Sequence, residues 1–461
     1  MTTVSLLDAA QRLARAETTS RELTEACLAR IEEHDSALRA FITVESDGAR
    51  RGADEADARR REGQVRGPLD GLPLAVKDNL AVAGRVTTMG SAIYRSHLPA
   101  ENAGVVDRLD THGAVRLGAT NLHEFALGVT TENPHFGICR NPWDTERTPG
   151  GSSGGSAVAV SAGMALGALG SDTSGSIRIP AAACGIVGLK PTYGRVSSYG
   201  CYPEAWSLDH VGVLTQTAAD AALLLDAISG HDPRVPSSLP LPPTMTAQEM
   251  AAEAPLRIGI EEDFFFDRID PAVEDVVRGT LGAMVEAGAQ LVPLTLPSLA
   301  EATFALTVID TAETTAFHDD QFRRRGEEYG EDVRQLVECG TLPSAVDYLH
   351  AQQIRSRLKG EFHRAFSEVD VIASPTLPIR TPRVGEATVQ VTGESRDRDG
   401  ELMRLVGPSN LVGIPSASVP CGMVDEMPVG IQFLGPALGE AAVLRAAAVV
   451  ERLVELPDIR F

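Results

Sequence analysis

The sequence predicts an α/β architecture in which helices cover both faces of a large mixed or parallel β-sheet. Three observations carry this reading. Short apolar runs bounded by turn residues recur along the chain, as in GLPLAVK at 71–77 and VGIQFLG at 429–435. Segments of helical periodicity lie between such runs. After residue 255 the pattern reads strand, helix, strand: LRIGI, a helix over 271–287, then AQLVPL. Alternation of this kind builds a sheet with helices packed on its faces.

Taken in order, residues 5–15 read as a helix. A second starts near Thr19, where Thr19 and Glu22 have capping-box spacing. Leu23, Cys27 and Ile31 then recur every four residues on one face. The helical pattern continues to about residue 62 as an outer layer. LPLAV before Lys77 is an apolar run closed by a turn-like Asp-Asn, so it reads as a buried strand. Residues 102–112 read as a helix and AVRLGATN as the strand after it. A loop-rich stretch, 130–149, leads into GGSSGG at 150–155, a small-residue helix and a second Gly/Ser-rich turn, SDTSGS. Residues 217–229 are helical. Prolines at 233, 236, 240, 242, 243 and 255 exclude regular helix or central strand from the next segment. VDVIAS, SASVP and VGIQFLG read as later strands, and 438–454 as a closing helix.

The 461 residues are 43% hydrophobic and 23% charged, enough to bury a catalytic group within a large core. Lys and Arg number 41 against 63 Asp and Glu, a net charge of −22. Such a surface disfavours nucleic acid and anionic membranes as partners, and it is also a plain solubility feature. Six cysteines, at 27, 139, 184, 201, 339 and 421, form no C-x-x-C pair and no zinc spacing, so no metal is expected and a reducing cytoplasm is. Asp8 and Arg12 stand early in an N-terminus unlike a signal peptide. The weakly polar run Ala157 to Gly170 is 14 residues, too short to span a bilayer.

The chemistry centres on two Gly/Ser clusters and one lysine. Successive backbone N–H groups in turns such as 150–155 and 171–176 form anion-shaped concavities. A P-loop does not fit, because Ser156 stands where its lysine belongs. The other anion such a nest holds is a transition-state oxyanion. GSSGG matches the nucleophile-elbow pattern with Ser153 at its centre, but loop precedes it and no histidine occurs in the last 98 residues. Histidines such as His123 read as surface or satisfied core residues. Lys77 ends an apolar run that leads into the interior. Buried without a partner, its amine would lose proton affinity and become a competent base; at a strand end that reaches solvent, it would be an ordinary lysine.

LPLAVKDN at 72–79, TPGGSSGGSA at 148–157 and GSDTSGSIRIPAAACGIVGLKPTYGRVS at 170–197 closely resemble the amidase signature family, as does SLDHVGVLTQTAADAALLLDAISGHDP at 207–233. The resemblance runs from about residue 5 to 455. It implies one α/β/α domain over 1–461 around a large mixed sheet. Within it lie a helical N-terminal layer (about 1–65), a signature core (about 66–230), a Pro-rich surface connection (about 232–255) and a C-terminal lobe (about 256–461) that completes the sheet. It also implies a catalytic unit of Lys77 as base, Ser152 in a cis peptide as relay and Ser176 as nucleophile, with no cofactor. Backbone N–H groups of Thr173, Ser174, Gly175 and Ser176 would cradle the oxyanion, one such donor contributing roughly 3–4 kcal/mol. Ser153, Asp172 and Arg178 would support the loop. Ser174 replaces the first of two glycines common before the nucleophile.

Family members include stand-alone amidases, carbamate-cleaving enzymes and the A subunit of glutamyl-tRNA amidotransferase. GLKPTYGRVSSYG resembles that A subunit, but its tyrosine-rich GYYDAYY segment is absent, and LPSAVDYLHAQQIR stands at 342–355. Leu127, Gly128, Val129 and Thr130 fall in a region that lines the family's pocket. Tyr202 and Trp206 on the loop 200–209 would add an apolar wall, or Trp206 would simply pin that loop. The expectation is therefore a monomeric or homodimeric cytoplasmic hydrolase of hydrophobic or aryl amides, extending to carbamates. An amidotransferase A subunit is the alternative. A catalytically silent scaffold is weakened because all three catalytic positions are filled.

Overall fold

The apolar runs of the sequence become the middle strands of a mixed sheet in the computed structural model, which describes residues 4–250, 255–457 and 459. Eleven strands form the sheet. In chain order they are β1 (Phe41–Val44), β2 (Pro73–Lys77), β3 (Val115–Thr120), β4 (Gly167–Asp172), β5 (Val187–Lys190) and β6 (His210–Thr215). They continue with β7 (Arg257–Ile260), β8 (Gln290–Pro293), β9 (Val371–Pro375), β10 (Ser416–Val424) and β11 (Met427–Leu434). The spatial order is β1-β3-β2-β4-β6-β5-β10-β11-β9-β7-β8. Strand pairs β3–β2, β2–β4, β9–β7 and β7–β8 are parallel, and the rest are antiparallel. Parallel segments thus flank an antiparallel middle.

Position in the sheet explains the composition of each strand. Every residue of β2, β4, β5, β6, β9 and β11 is buried, so these strands read as continuous small and apolar runs. The edge strand β8 is mostly exposed and mixes polar with apolar residues. One continuous apolar core runs from Leu6 in the first helix to Val450 in the last.

Helices cap as their sequences predict. The helix Ser20–Leu38 is closed by a reciprocal capping box between Thr19 and Glu22, and it buries Leu23, Cys27 and Ile31. The expected outer helical layer is interrupted. Phe41–Val44 leaves it to pair with β3 as the sheet's edge, and helix resumes at Ser46–Arg61. Four residues between two helices are too short for a periodicity signal. The Pro-rich stretch is irregular up to a single turn at Thr246–Glu249. Among the described residues no helix is long and apolar enough to cross a membrane.

Candidate active site

Two adjacent parallel strands bring the lysine to the Gly/Ser loop. Ala75 and Val76 of β2 pair with Ala168 and Leu169 of β4, so both strands release their chains at the same sheet edge. Ligand clefts of α/β sheets form at such carboxyl ends. Lys77 ends β2, and Ser171 and Asp172 end β4. Lys77 is 0% exposed, so the solvent-reaching alternative does not apply. Its Nζ donates to Ser152 Oγ at 2.7 Å and to Ser171 Oγ at 2.8 Å. Burial pulls its proton affinity down to about 8; the carboxylates of Glu204, Asp172 and Asp209 act in the opposite sense. The neighbouring Asp78 turns away as strand alternation requires, accepting from Thr88 N and Thr88 Oγ1.

Ser152 sits in the loop before the helix Gly154–Ser161, and the Gly151–Ser152 peptide is cis. The glycines let this loop press onto the core. A Cβ on Gly155 would lie 2.4 Å from the carbonyl oxygens of both Ala40 and Asn121. Ser153 Oγ donates to Ser171 O at 3.1 Å and Ser153 N to Ser176 O at 3.1 Å, tying the two Gly/Ser loops together.

The second loop is shaped by Asp172. Its Oδ1 accepts from Gly175 N at 2.9 Å and its Oδ2 from Ile177 N at 3.1 Å, folding the segment 172–177 around the carboxylate. Gly175 takes φ +119°, a conformation that side chains resist. Arg178 completes the device. It is fully buried, forks onto both Asp172 oxygens, and donates further to Val406 O, Ser409 Oγ, Gln432 Oε1 and Asn410 Oδ1. Burial alone would raise the Asp172 carboxyl; the charge of Arg178 and its hydrogen bonds outweigh it and hold the group well below the usual range.

One expected oxyanion donor is corrected by this geometry. The Gly175 N–H is already given to Asp172. The N–H groups of Thr173, Ser174 and Ser176 donate to no described residue. Ser176 Oγ likewise has no hydrogen-bond partner among the described residues, and Ser176 lines a cavity of about 170 Å³. Leu127, Gly128 and Val129 line this cavity too, together with His123, Leu306 and Met403. Thr130 does not: it is buried beneath, accepting from Thr148 Oγ1 through its carbonyl. Tyr202 and Trp206 do not line the cavity either. Tyr202 stacks on Phe125 at 5.4 Å in an apolar cluster that shares Leu127 and Leu336 with the cavity wall. Trp206 is 50% exposed, its carbonyl held by Tyr193 Oη. His123 is a cavity residue whose Nε2 lies 2.8 Å from Asp332 Oδ2.

Sequence reasoning missed several groups. Ser171 is the second acceptor of Lys77 and is also held by Asn79 Nδ2 at 3.0 Å. Ser409, Asn410 and Gln432 secure Arg178. Gln432 did leave a signal: an amide in the middle of an otherwise apolar strand needs a buried partner. Glu204, Asp209 and Asp310 were also missed. Thr173 Oγ1 donates to Asp209 Oδ1 and Ser174 Oγ to Asp310 Oδ2, so acids brace the nucleophile loop from outside.

Comparison with known proteins follows the same lines. A family model for amidases matches residues 22–444. The A subunit of the glutamyl-tRNA(Gln) amidotransferase of Chloroflexus aggregans is 41% identical over 96% of this chain and 95% of its own. A chain from the vestigial protein complex that bears on the origins of an s-triazine catabolic enzyme superposes with a TM-score of 0.93, at 34% identity over 99% of this chain and 100% of that one. A crystal structure of an amidase gives a TM-score of 0.89, at 34% identity over 98% and 100%.

Proposed function

The chain belongs to the amidase signature family, and from that membership we propose that it hydrolyses carboxamide C–N bonds by attack of Ser176 on the carbonyl carbon. The observations that carry this are the buried Lys77–Ser152 contact of 2.7 Å, the Ser153 N to Ser176 O bond that ties the Ser152 loop to the Ser176 loop, and the cavity that Ser176 lines. In this reading Lys77 acts neutral and takes a proton from Ser152, which takes one from Ser176. The alkoxide adds to the carbonyl, and the free N–H groups of Thr173, Ser174 and Ser176 stabilise the oxyanion. The proton returns along the same path to the leaving nitrogen. Water then cleaves the acyl-enzyme and regenerates the serine. Asp172, Arg178 and Ser153 are positioning groups, and the whole chain works as one domain.

The setting supported best by relatives is that of an amidotransferase A subunit, which reverses the order of preference drawn from sequence. The relative is named as one chain of a larger enzyme, and a solved neighbour comes from a protein complex. Both support a partner chain over the monomer or homodimer expected above. A second reading, a free-standing amidase, is favoured by the cavity itself. Its one basic lining residue, His123, is engaged by Asp332, so glutamine's carboxylate would meet no arginine or lysine there. The apolar lining suits a hydrophobic or aryl acyl group, and a carbamate would follow the same tetrahedral chemistry. Screening the purified chain alone against glutamine, small amides, anilides and aryl carbamates tests this. Turnover of an amide supports the hydrolase. Glutaminase activity that appears only with a partner chain supports the amidotransferase reading. No turnover in either setting removes the proposal.

A further inference from the structure

The cavity beside Ser176 has two unlike walls. Leu127, Val129, Leu306 and Met403 form an apolar side. The other side carries Glu204, Asp310, Asp332 and Asp399. Two of these four carboxylates have local partners: Asp399 is ion-paired with Arg398 Nε at 2.6 Å, and Asp332 Oδ2 lies 2.8 Å from His123 Nε2. Glu204 and Asp310 form no ion pair with a described residue. Glu204 is buried, at 7% exposure, and its Oε2 has no hydrogen-bond partner among the described residues. Asp310 Oδ1 is also unpartnered among them, while its Oδ2 accepts from Ser174 Oγ at 2.8 Å, two residues before the nucleophile.

A buried carboxyl oxygen with no donor is a costly arrangement in a folded protein. It is relieved by protonation, or by a ligand that supplies the donor. The proton affinities of the two groups reflect that cost. Burial, with Asp310 and Asp209 nearby, raises Glu204 well above the usual range. Burial, with Asp209 and Glu313 nearby, raises Asp310 to about 7. Each group would release its proton to solvent as a cation binds.

We propose that Glu204 and Asp310 form a cation subsite that receives a protonated amine on the acyl portion of the substrate, so that the preferred substrates are carboxamides whose acyl chain carries an ammonium group. Three features set this chemistry. The unpartnered atoms are acceptors. Among the described residues no arginine or lysine lines the cavity, so nothing there opposes a cation. An apolar wall faces the acceptors, which suits the methylenes between amine and amide. The inference rests on Ser176 as the amide-cleaving centre, and it adds what that centre selects.

The test separates the two claims. Binding of γ-aminobutyramide and of its uncharged isostere valeramide to the Ser176→Ala protein is measured by calorimetry. Hydrolysis of both by the wild-type protein is measured in parallel. The expected result is that γ-aminobutyramide binds about tenfold or more tightly than valeramide, as charge-assisted hydrogen bonds in a desolvated site require. Glu204→Gln and Asp310→Asn, made singly in the same background, should each cut that ratio severalfold, with the affinity lost for γ-aminobutyramide exceeding any lost for valeramide; an equal loss for both amides would mean a structural role only and overturn the subsite. Equal affinities, tighter binding of valeramide, or no binding of either amide would overturn the subsite. Ammonium-selective binding without turnover would overturn the hydrolase reading and leave the subsite standing. Equal kcat/KM for the two amides would do the reverse.

Discussion

Lys77 Nζ lies 2.7 Å from Ser152 Oγ, and neither residue has any solvent-exposed surface. Removing an ammonium from water disfavours its charge, and the pair of hydroxyls that receive its protons does not restore a full counter-charge. The proposed base is therefore prepared by burial.

The pH dependence follows from that cause. Neutral lysine is the active form, so kcat/KM should rise with pH and level off above about 8, where burial places the lysine. A limb near the ordinary lysine value of about 10.5, or a rate independent of pH between 6 and 10, would contradict a buried base (approximate range set by the free and buried values).

Ser171→Ala should move that limb. Ser171 Oγ accepts from both Lys77 and Asn79, so its loss removes an acceptor that favours the charged amine. The limb should shift to lower pH while kcat falls about tenfold through looser placement of Nζ. A pH–rate profile of the variant that overlays the wild type would assign Ser171 to packing alone.

Arg178 is predicted to be a stability residue first. Replacing it with Met strips Asp172 of its counter-charge in a site closed to water, at a cost of about 3–5 kcal/mol by denaturant unfolding. Arg178→Lys should recover little of this, because one ammonium cannot reproduce the fork onto both Asp172 oxygens.

Gly175→Ala should lower kcat by about a hundredfold with little change in KM. A Cβ there would sit 2.3 Å from Val406 Cγ2, on a backbone at φ +119°, and relief moves the loop that carries Ser174 and Ser176. Steady-state kinetics on one amide decides it; an unchanged kcat would place the oxyanion donors elsewhere.

Trp206→Ala should change kcat/KM for aryl amides and for small amides by the same factor. The side chain is half-exposed and does not line the cavity. A selective loss on aryl substrates would return Trp206 to the substrate wall that its position in the sequence first implied.

Much of the fold was legible because buried strands write themselves as apolar runs: LPLAV became β2 and VGIQFLG became β11. The strand Phe41–Val44 was not, since four residues between helices carry no period. Within the site, residue spacing located the Gly/Ser loops, and the family resemblance chose among their serines. It could not reveal that Gly175 N–H is committed to Asp172, because that depends on the turn the loop adopts. Glu204 and Asp310 stand more than a hundred positions apart in the sequence, and only the packed fold brings both to the cavity. Tyr202 failed as a pocket residue for a related reason: Phe125, Tyr94 and Phe317 offer its ring a better-packed neighbourhood.

The central claim is that Ser176 is the nucleophile, and covalent trapping tests it most directly. The intact protein is treated with a fluorophosphonate, and the modified peptide is located by mass spectrometry. The account predicts a single adduct on Ser176, absent from Ser176→Ala. An adduct on Ser152 or Ser153, or undiminished labelling and turnover in Ser176→Ala, would contradict it.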